Sequence, residues 1–438
     1  MFFTSFASQL ARNIPQIQRL ISAAIIEQND IANQSLRDQW RHLVFYPLSR
    51  LDSSSSLSSY VLIVDALDEC DNEDHIRTIL QLLAEARLLK IRLRVLITSR
   101  PEVPIRYGFY QIPNAEHHDF TLHDIKPAIV DHDISIFLEH ELKSIGQERS
   151  LGTGWPTELV ISLLAQKASG LFIWAATACR FIREGMRFVL KRLDMMLQGD
   201  RCAAAPENHL SKIYLTVLET SIHQYYTEQE KEDLYNTLRE ILGSIIILSS
   251  PLSAGALATL LHMPKQDIDQ TLEDLHSILD IPEDQTRPLH LHHPSFRDFL
   301  VSKDRCCDLH FWVGERKAHR TLANDCIRLM SNSLKQDICG QEAPGTLVTD
   351  VESSWIKHCL PPGIKYACLY WIQHLQKGNT QFYDNDQVHQ FLQEHLLHWL
   401  EALGWIGKTS DGILMILALE AQIRVSLLYR VFLQRNLN

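Results

Sequence analysis

Three carboxylates close one apolar run: in YVLIVDALDEC, residues Tyr60 to Val64 are followed by Asp65, Asp68 and Glu69. A buried strand that ends in acids suits magnesium and phosphate chemistry, because ligands of parallel α/β sheets gather beyond the carboxyl ends of the strands. From that position Asp65 can hold magnesium directly or through water, and Asp68 or Glu69 can orient an attacking water. Ala66 leaves room beside the phosphates. The same residues also fit a plainer description, a solvated acidic turn at a helix N-terminus that the helix dipole favours. Arg100 shifts the balance. It ends a second apolar run, Leu93 to Thr98 in RLRVLITSRPE, and a guanidinium there could reach a terminal phosphate held near Asp65. Its plain alternative is a surface arginine before a proline turn.

Side chains can meet in this way only if the two runs are neighbouring strands. Between them Ile76, Ile79, Leu80 and Leu83 recur at helical spacing, with Asp71 or Asn72 as cap. A strand, a helix and a strand within about 40 residues make a βαβ unit with parallel strands and a right-handed crossover. Upstream, Phe6, Leu10, Ile14, Ile17, Ile21 and Ile25 predict one helix over 3–26, a second helix follows over 35–51, and Ser53 to Ser59 form a serine-rich loop. A short strand is expected at Asp119 to Leu122. From Ile129 onward the pattern is helical: Ile129 to Ile145, Pro156 to Ala168, Leu171 to Glu184 and Leu210 to His223. Gly146 to Trp155 and Gly199 to Glu207 carry turn residues.

Residues 234–302 read as a helix to Leu248, a turn at SSP, a helix from Ser253 to Leu261, a helix from Asp267 to Leu279, a hairpin in IPEDQTRPLHLHH and a helix from Ser295 to Val301. Three helices and a wing describe a winged helix. Its recognition helix, Lys265 to Leu279, carries Asp267, Asp269, Glu273 and Asp274 against one lysine, a surface that repels nucleic acid. The C-terminal stretch is helical and holds five of the eight tryptophans. No repeat period is visible.

Composition excludes other classes. With 42 basic and 53 acidic residues the formal charge is −11, and no run of five Lys or Arg exists, so nucleic acid and anionic membrane are not the expected partners. Nine cysteines in 438 residues suit free thiols in a reducing compartment, and a cytoplasmic location is expected. The N-terminus lacks the positive region of a signal peptide. Ile241 to Pro264 is uncharged and long enough to cross a bilayer, yet SSP and several serines divide it. Cys306, Cys307 and His310 with His290, His292 and His293 lack zinc-finger spacing. His358, Cys359, Cys368 and His374 read as core of a helical segment, and no GxSxG or HExxH occurs.

VLIVDALDEC followed by VLITSRPE resembles the Walker B and sensor 1 segments of NACHT signal-transduction NTPases, in the form found in fungal NOD-like receptors related to heterokaryon-incompatibility proteins. GLFIWAATACRFI, SSPLSAGALATLL and LHHPSFRDFL extend the resemblance, in the family's order, over about residues 1–305. It implies an α/β partial P-loop NTPase sheet (1–125), an all-α helical domain (126–205), a winged helix (206–305) and a helical C-terminal region (306–438). It also implies ATP or ADP with magnesium. Asp65 would be the magnesium-linked acid, Asp68 and Glu69 the pair associated with hydrolysis, and Arg100 the sensor 1 arginine. His293 would be the winged-helix histidine that contacts the phosphates and holds the closed, ADP-bound state, with His292 as the adjacent alternative.

The sequence departs from the family in two places. No GxxxxGK[ST] loop occurs in the 438 residues, and that loop supplies most N–H donors, the lysine and the magnesium-bound hydroxyl. Phe172 in GLF stands where related ATPases often place a proline against the adenine. The expectation is a truncated signalling switch with impaired ATP binding and hydrolysis. The alternatives are a non-enzymatic module that pairs, through an exposed strand edge or a helical surface, with protein partners such as a complete relative, and an incomplete gene model whose loop lies upstream of Met1.

Overall fold

The structure is a computed structural model that describes residues 2–28, 31–51, 59–70, 72–89, 91–113, 115–152, 154–198, 206–222, 226–341 and 345–436. The chain divides into two compact units, Met1–Asp124 and Ile125–Asn438, each with its own hydrophobic core.

In the first unit the predicted helix over 3–26 is two helices, Phe2–Asn13 and Pro15–Glu27. Pro15 breaks it: proline donates no N–H, and its ring pushes Ile14 out of the helical region, to φ −127° and ψ 89°. The apolar spacing continues across the break, so Phe3, Phe6, Leu10, Ile14, Ile17 and Ile21 all remain buried. The helix expected over 35–51 begins at Leu36 with the Ser35 hydroxyl accepting from the Asp38 N–H at 3.2 Å. It then widens into a π-helix over Trp40–Phe45, which places Trp40, Leu43 and Val44 inward, and returns to α at Tyr46–Ser49. Of the predicted serine loop, all but Ser59 lies outside the described residues.

Strands β1 (Ser59–Val64) and β2 (Arg92–Ile97) pair in parallel, Ser59 opposite Arg92 and Val64 opposite Ile97. The crossover contains the helix Glu73–Ala84, capped by Asn72, whose side chain accepts from the N–H groups of Asp74 and His75 at 2.9 and 3.1 Å. The other cap candidate, Asp71, lies outside the described residues. Alternation gives the sheet two faces. Val64, Leu93, Val95 and Ile97 pack against the core, while Val61, Ile63 and Leu96 are 61%, 64% and 55% exposed on the other face. Parallel sheets usually have both faces covered. The short strand expected at Asp119 to Leu122 does not form: Phe120 and Leu122 point into solvent, no described strand pairs with them, and a 3₁₀ turn takes up Leu122–Asp124.

The second unit opens with the helices Pro127–Glu148, Glu158–Ala168, Phe172–Glu184 and Val189–Leu197. The first runs past the expected stop at Ile145, with Gly146 packed tightly against the Trp155 ring. After the helix Pro206–Ser221 comes Glu228–Ile247, which starts in a capping box of Thr227 and Glu230. His223 and residues 199–205 lie outside the described residues. The uncharged stretch Ile241 to Pro264 is broken at residues 248–253 and enters two separate helices, the second being Ala254–Leu261. No described helix is long and apolar enough to cross a membrane.

The helix Lys265–Leu272 is shorter than its predicted reach to Leu279. A 3₁₀ turn over Glu273–Leu275 ends it, because Leu279 and Asp280 are needed as β3, which pairs antiparallel with β4 (His290–Leu291). This two-residue ladder is the expected hairpin, and the helix Ser295–Val301 follows it.

Farther on, the helices Glu315–Ser333, Pro362–Lys377 and Gln387–Ile406 surround Trp371 and Trp399, both fully buried, with ring centroids 5.5 Å apart at 82°. Beside them lies a buried polar chain. The Ser249 N–H donates to the Tyr366 hydroxyl at 3.0 Å, and that hydroxyl lies 2.7 Å from Nε2 of His374. On the other side of the ring His374 Nδ1 lies 2.8 Å from His319 Nδ1, so one of these two nitrogens carries the hydrogen that the other accepts. His374 and Cys368 are therefore core residues as the spacing indicated, whereas His358 is exposed and Cys359 half-buried.

Candidate functional site

At the carboxyl end of the two strands the chain reverses sharply. Ala66 adopts φ +50° and ψ 55°, a left-handed conformation that costs a residue with a Cβ about 1 kcal/mol or more. Thr98, the residue after β2, holds this corner together. Its N–H donates to the Val64 carbonyl at 2.9 Å, its carbonyl accepts from Leu67 N–H at 3.0 Å, and its hydroxyl accepts from Ala66 N–H at 2.9 Å while donating to Oδ1 of Asp65. Asp65 is exposed, so its carboxylate is fixed in direction yet presented outward.

Asp68 and Glu69 share the 3₁₀ turn Leu67–Glu69, anchored by buried Leu67, but their surroundings differ. Asp68 is tied to the end of β2. Its Oδ1 accepts from Arg100 N–H at 2.9 Å and from the Ser99 hydroxyl at 3.2 Å, and its Oδ2 lies 3.6 Å from Arg100 Nε. Its side chain is 8% exposed against 42% for Arg100. The Glu69 carboxylate has no hydrogen bond among the described residues, its backbone N–H donating to the Ala66 carbonyl at 3.0 Å. Partial burial, and then the charges of Asp68 and Asp65, push its pKa up against the opposing pull of Arg100. Of the two acids, Glu69 is the one whose carboxylate is left unbonded among the described residues. Asp68 instead sets the position of Arg100. Asp65, Asp68, Glu69 and Arg100 thus converge as the sequence predicts. Thr98 escapes the sequence reading, although a polar residue closing an apolar strand marks it.

His293 belongs to the second unit and lines a shallow cavity of about 530 Å³ with Phe137, Gly170, Leu171, Phe172, Ile173 and Ala176. Ser169 and Gly170 are both left-handed, at φ 48° and 78°, and the second position favours glycine; the double turn delivers Leu171 and Phe172 to the rim. The Phe137 and Phe172 rings meet edge to face at 6.1 Å. His293 Nδ1 accepts from Ser295 N–H at 3.1 Å and lies 2.6 Å from the Ser295 hydroxyl, which lies 2.7 Å from the Tyr214 hydroxyl. Tyr214 is held between Phe296 and Phe299, at 5.1 and 5.6 Å. With Nδ1 an acceptor, a neutral His293 carries its hydrogen on Nε2.

His292 is occupied elsewhere: its Nε2 lies 2.9 Å from the His276 carbonyl, and burial, followed by the Arg180 charge, lowers its pKa. The Cys306, Cys307 and His310 cluster uses its polar atoms on Asp304 and Asp308. Among the described residues no group of three His, Cys, Asp or Glu stands ready for a metal.

A family model described as Nephrocystin 3, N-terminal, matches residues 1–100, the stretch that contains the strand-end cluster. The chain is also similar to vegetative incompatibility protein HET-E-1 of Podospora anserina, 23% identical over 386 residues, which is 82% of this chain and 26% of that protein. The chain thus spans about a quarter of that relative's length. These matches relate it to a fungal incompatibility protein, in agreement with the resemblance carried by its motifs.

Proposed function

We propose that the chain is part of a NACHT-type, NOD-like signalling protein whose ancestral switch is run by ATP or ADP with magnesium, and that the 438-residue segment by itself binds and hydrolyses nucleotide poorly. The observation that carries this reading is the convergence of Asp65, Asp68, Glu69 and Arg100 at the carboxyl ends of two adjacent parallel strands.

The residues fit the group. Asp65 offers magnesium an outward carboxylate whose direction Thr98 sets, and carboxylate oxygen suits a small hard cation. Bound nucleotide would supply the phosphoanhydride and its magnesium the charge neutralisation. Arg100, oriented by Asp68, would face a terminal phosphate, and Glu69 would orient water. Residues 234–301 act in this reading as a winged helix inside the switch. Within the second unit, a neutral His293 carries an N–H at Nε2, and Phe137 and Phe172 line the same cavity with aromatic edges. Impaired affinity follows from the absence of a loop of backbone N–H donors in these residues.

Calorimetric titration of the 438-residue chain with ADP or ATP and magnesium tests this. Weak binding is expected, weakened further by Asp65→Ala and by Arg100→Ala and left in place by Glu69→Gln. Binding indifferent to both alanine substitutions would sink the site. Micromolar affinity that disappears in Asp65→Ala would keep the site and overturn the impairment.

One observation favours a second reading, a non-enzymatic interaction module that joins a complete relative or forms oligomers. The outward face of β1 and β2 carries Val61, Ile63 and Leu96 beside Arg92 and Arg94, and each strand has an unpaired edge among the described residues. Nucleotide-independent co-purification with a complete relative, lost on Val61→Lys, would support it over the switch.

A further inference from the structure

The geometry points to a reversible redox site formed by Cys339 and Cys359, at which a peroxide joins the two thiols as a disulfide. Cys339 lies beyond the helix Glu315–Ser333 and is 1% exposed, while Cys359 ends the helix Ser353–Cys359 and is half-buried. Trp355 stands one turn before Cys359 on the same helix face. Its indole N–H donates to the Cys339 carbonyl at 2.8 Å, and the Gln341 side-chain amide donates to the same carbonyl at 3.0 Å. That face is therefore docked on the Cys339 backbone, and after burial Cys359 is the group that acts most strongly on the Cys339 thiol. The other described cysteines lack this arrangement. The thiols of Cys306 and Cys307 are directed at the carbonyls of Asp308 and Asp304, and Cys179, Cys326 and Cys368 are enclosed in the core.

The two sulfurs have different tasks. Burial first, and the neighbouring Cys359 second, push the Cys339 thiol up to about 12, so it stays protonated. Cys359, the more accessible of the two, meets the oxidant. Its thiolate attacks one peroxide oxygen, an S–O bond forms as the O–O bond breaks, and the departing hydroxide takes a proton to become water. The product is a neutral sulfenic acid, so the charge that opposed ionisation of Cys339 is gone. The Cys339 sulfur then attacks the Cys359 sulfur. The S–S bond forms, the S–O bond breaks, and the hydroxyl leaves with the Cys339 proton as a second water. Two thiols lose two electrons and one peroxide becomes two waters; a dithiol reductant reverses the change.

The closed loop carries Thr346, Leu347 and Val348, which with Asp337, Glu401 and Trp405 line a cavity of about 670 Å³. Oxidation would fix that wall to the Trp355 helix.

The test treats the full chain with dilute hydrogen peroxide, blocks remaining thiols with N-ethylmaleimide and maps peptides by mass spectrometry. The expected product is a Cys339–Cys359 cross-linked peptide that dithiothreitol removes. In Cys339→Ser, dimedone should label Cys359 during oxidation; in Cys359→Ser, it should leave Cys339 unlabelled. Oxidation of Cys359 to sulfinic acid without a cross-link overturns the proposal, as does a cross-link between other cysteines in its place. If the buried Cys339→Ser substitution prevents folding, the half-buried Cys359→Ser variant decides alone: dimedone labelling of its Cys339 refutes the assignment.

Discussion

At the ends of β1 and β2, Asp65 and Asp68 are held by residues of the neighbouring strand, Asp65 facing outward, whereas His319 and His374 lie in the core of the second unit, 3% and 0% exposed. Both places position a polar group, but they answer to pH in different ways. Asp65 and Glu69 stay near water, and partial burial with the neighbouring acids pushes the pKa of Glu69 up. The histidines have lost their water. Burial is the main cause that lowers His319 from 6.5 to about 4 and His374 to about 3, helped by Lys377 in both cases and by His319 itself for His374. A fixed outward carboxylate remains exposed to solvent and to a ligand; a buried imidazole pair trades its charge for a specific register between helices.

The largest expected effect tests that contrast directly. Because the folded-state values of His319 and His374 are depressed, their contribution is complete above pH 6.5 and is lost as the pH falls towards 4, where the unfolded chain binds protons that the folded chain refuses. Urea denaturation between pH 7 and 4 should show a loss of about 3 kcal/mol for each histidine and about 6 kcal/mol for the pair, since each tenfold fall in a group's proton affinity on folding is about 1.4 kcal/mol. The double variant His319→Leu/His374→Leu should flatten that slope. An unchanged slope would mean that the pair is not what the acid attacks.

Next in size is the difference between the adjacent acids. Asp68→Ala removes the acceptor of the Arg100 and Ser99 bonds and should cost the first unit about 2 kcal/mol. Glu69→Gln, without a hydrogen bond to lose among the described residues, should stay within about 0.5 kcal/mol. Equal losses in thermal or urea unfolding would erase the distinction between a positioning acid and an available one.

The smallest effect concerns His293. Ser295→Ala takes a partner from both His293 Nδ1 and the Tyr214 hydroxyl and should cost about 1 kcal/mol. Nitrogen-15 NMR of the imidazole should show a mixed tautomer in the variant against Nε2–H in the parent. An identical spectrum would show that the Ser295 hydroxyl does not set the tautomer.

How much of this the sequence discloses depends on the range of the interaction. The strand-end acids and Arg100 are legible because apolar runs ending in charge encode both the strand and its end, and the βαβ connection brings the ends together. The break at Pro15 is local too, but the apolar spacing that continues across it masks it. The early stop at Leu272 depends on Leu291, which claims Leu279 as a strand partner and which no helical pattern reveals. Tyr214 lies 81 positions from Ser295 and His319 lies 55 from His374, and nothing local in the chain announces either bond. The separate roles of Asp68 and Glu69 are fixed by which carboxylate faces β2, a matter of one turn's geometry.

The two faces of the small sheet also govern how the protein behaves in the tube. Val61, Ile63 and Leu96 put three side chains, each more than half exposed, on one face beside Arg92 and Arg94, with backbone edges unpaired among the described residues. Such a face is sticky in proportion to concentration. Purified stocks should scatter more light as they are concentrated, and should bind dyes that fluoresce on apolar surfaces while still fully folded, so that a positive dye signal from this chain is no sign of unfolding.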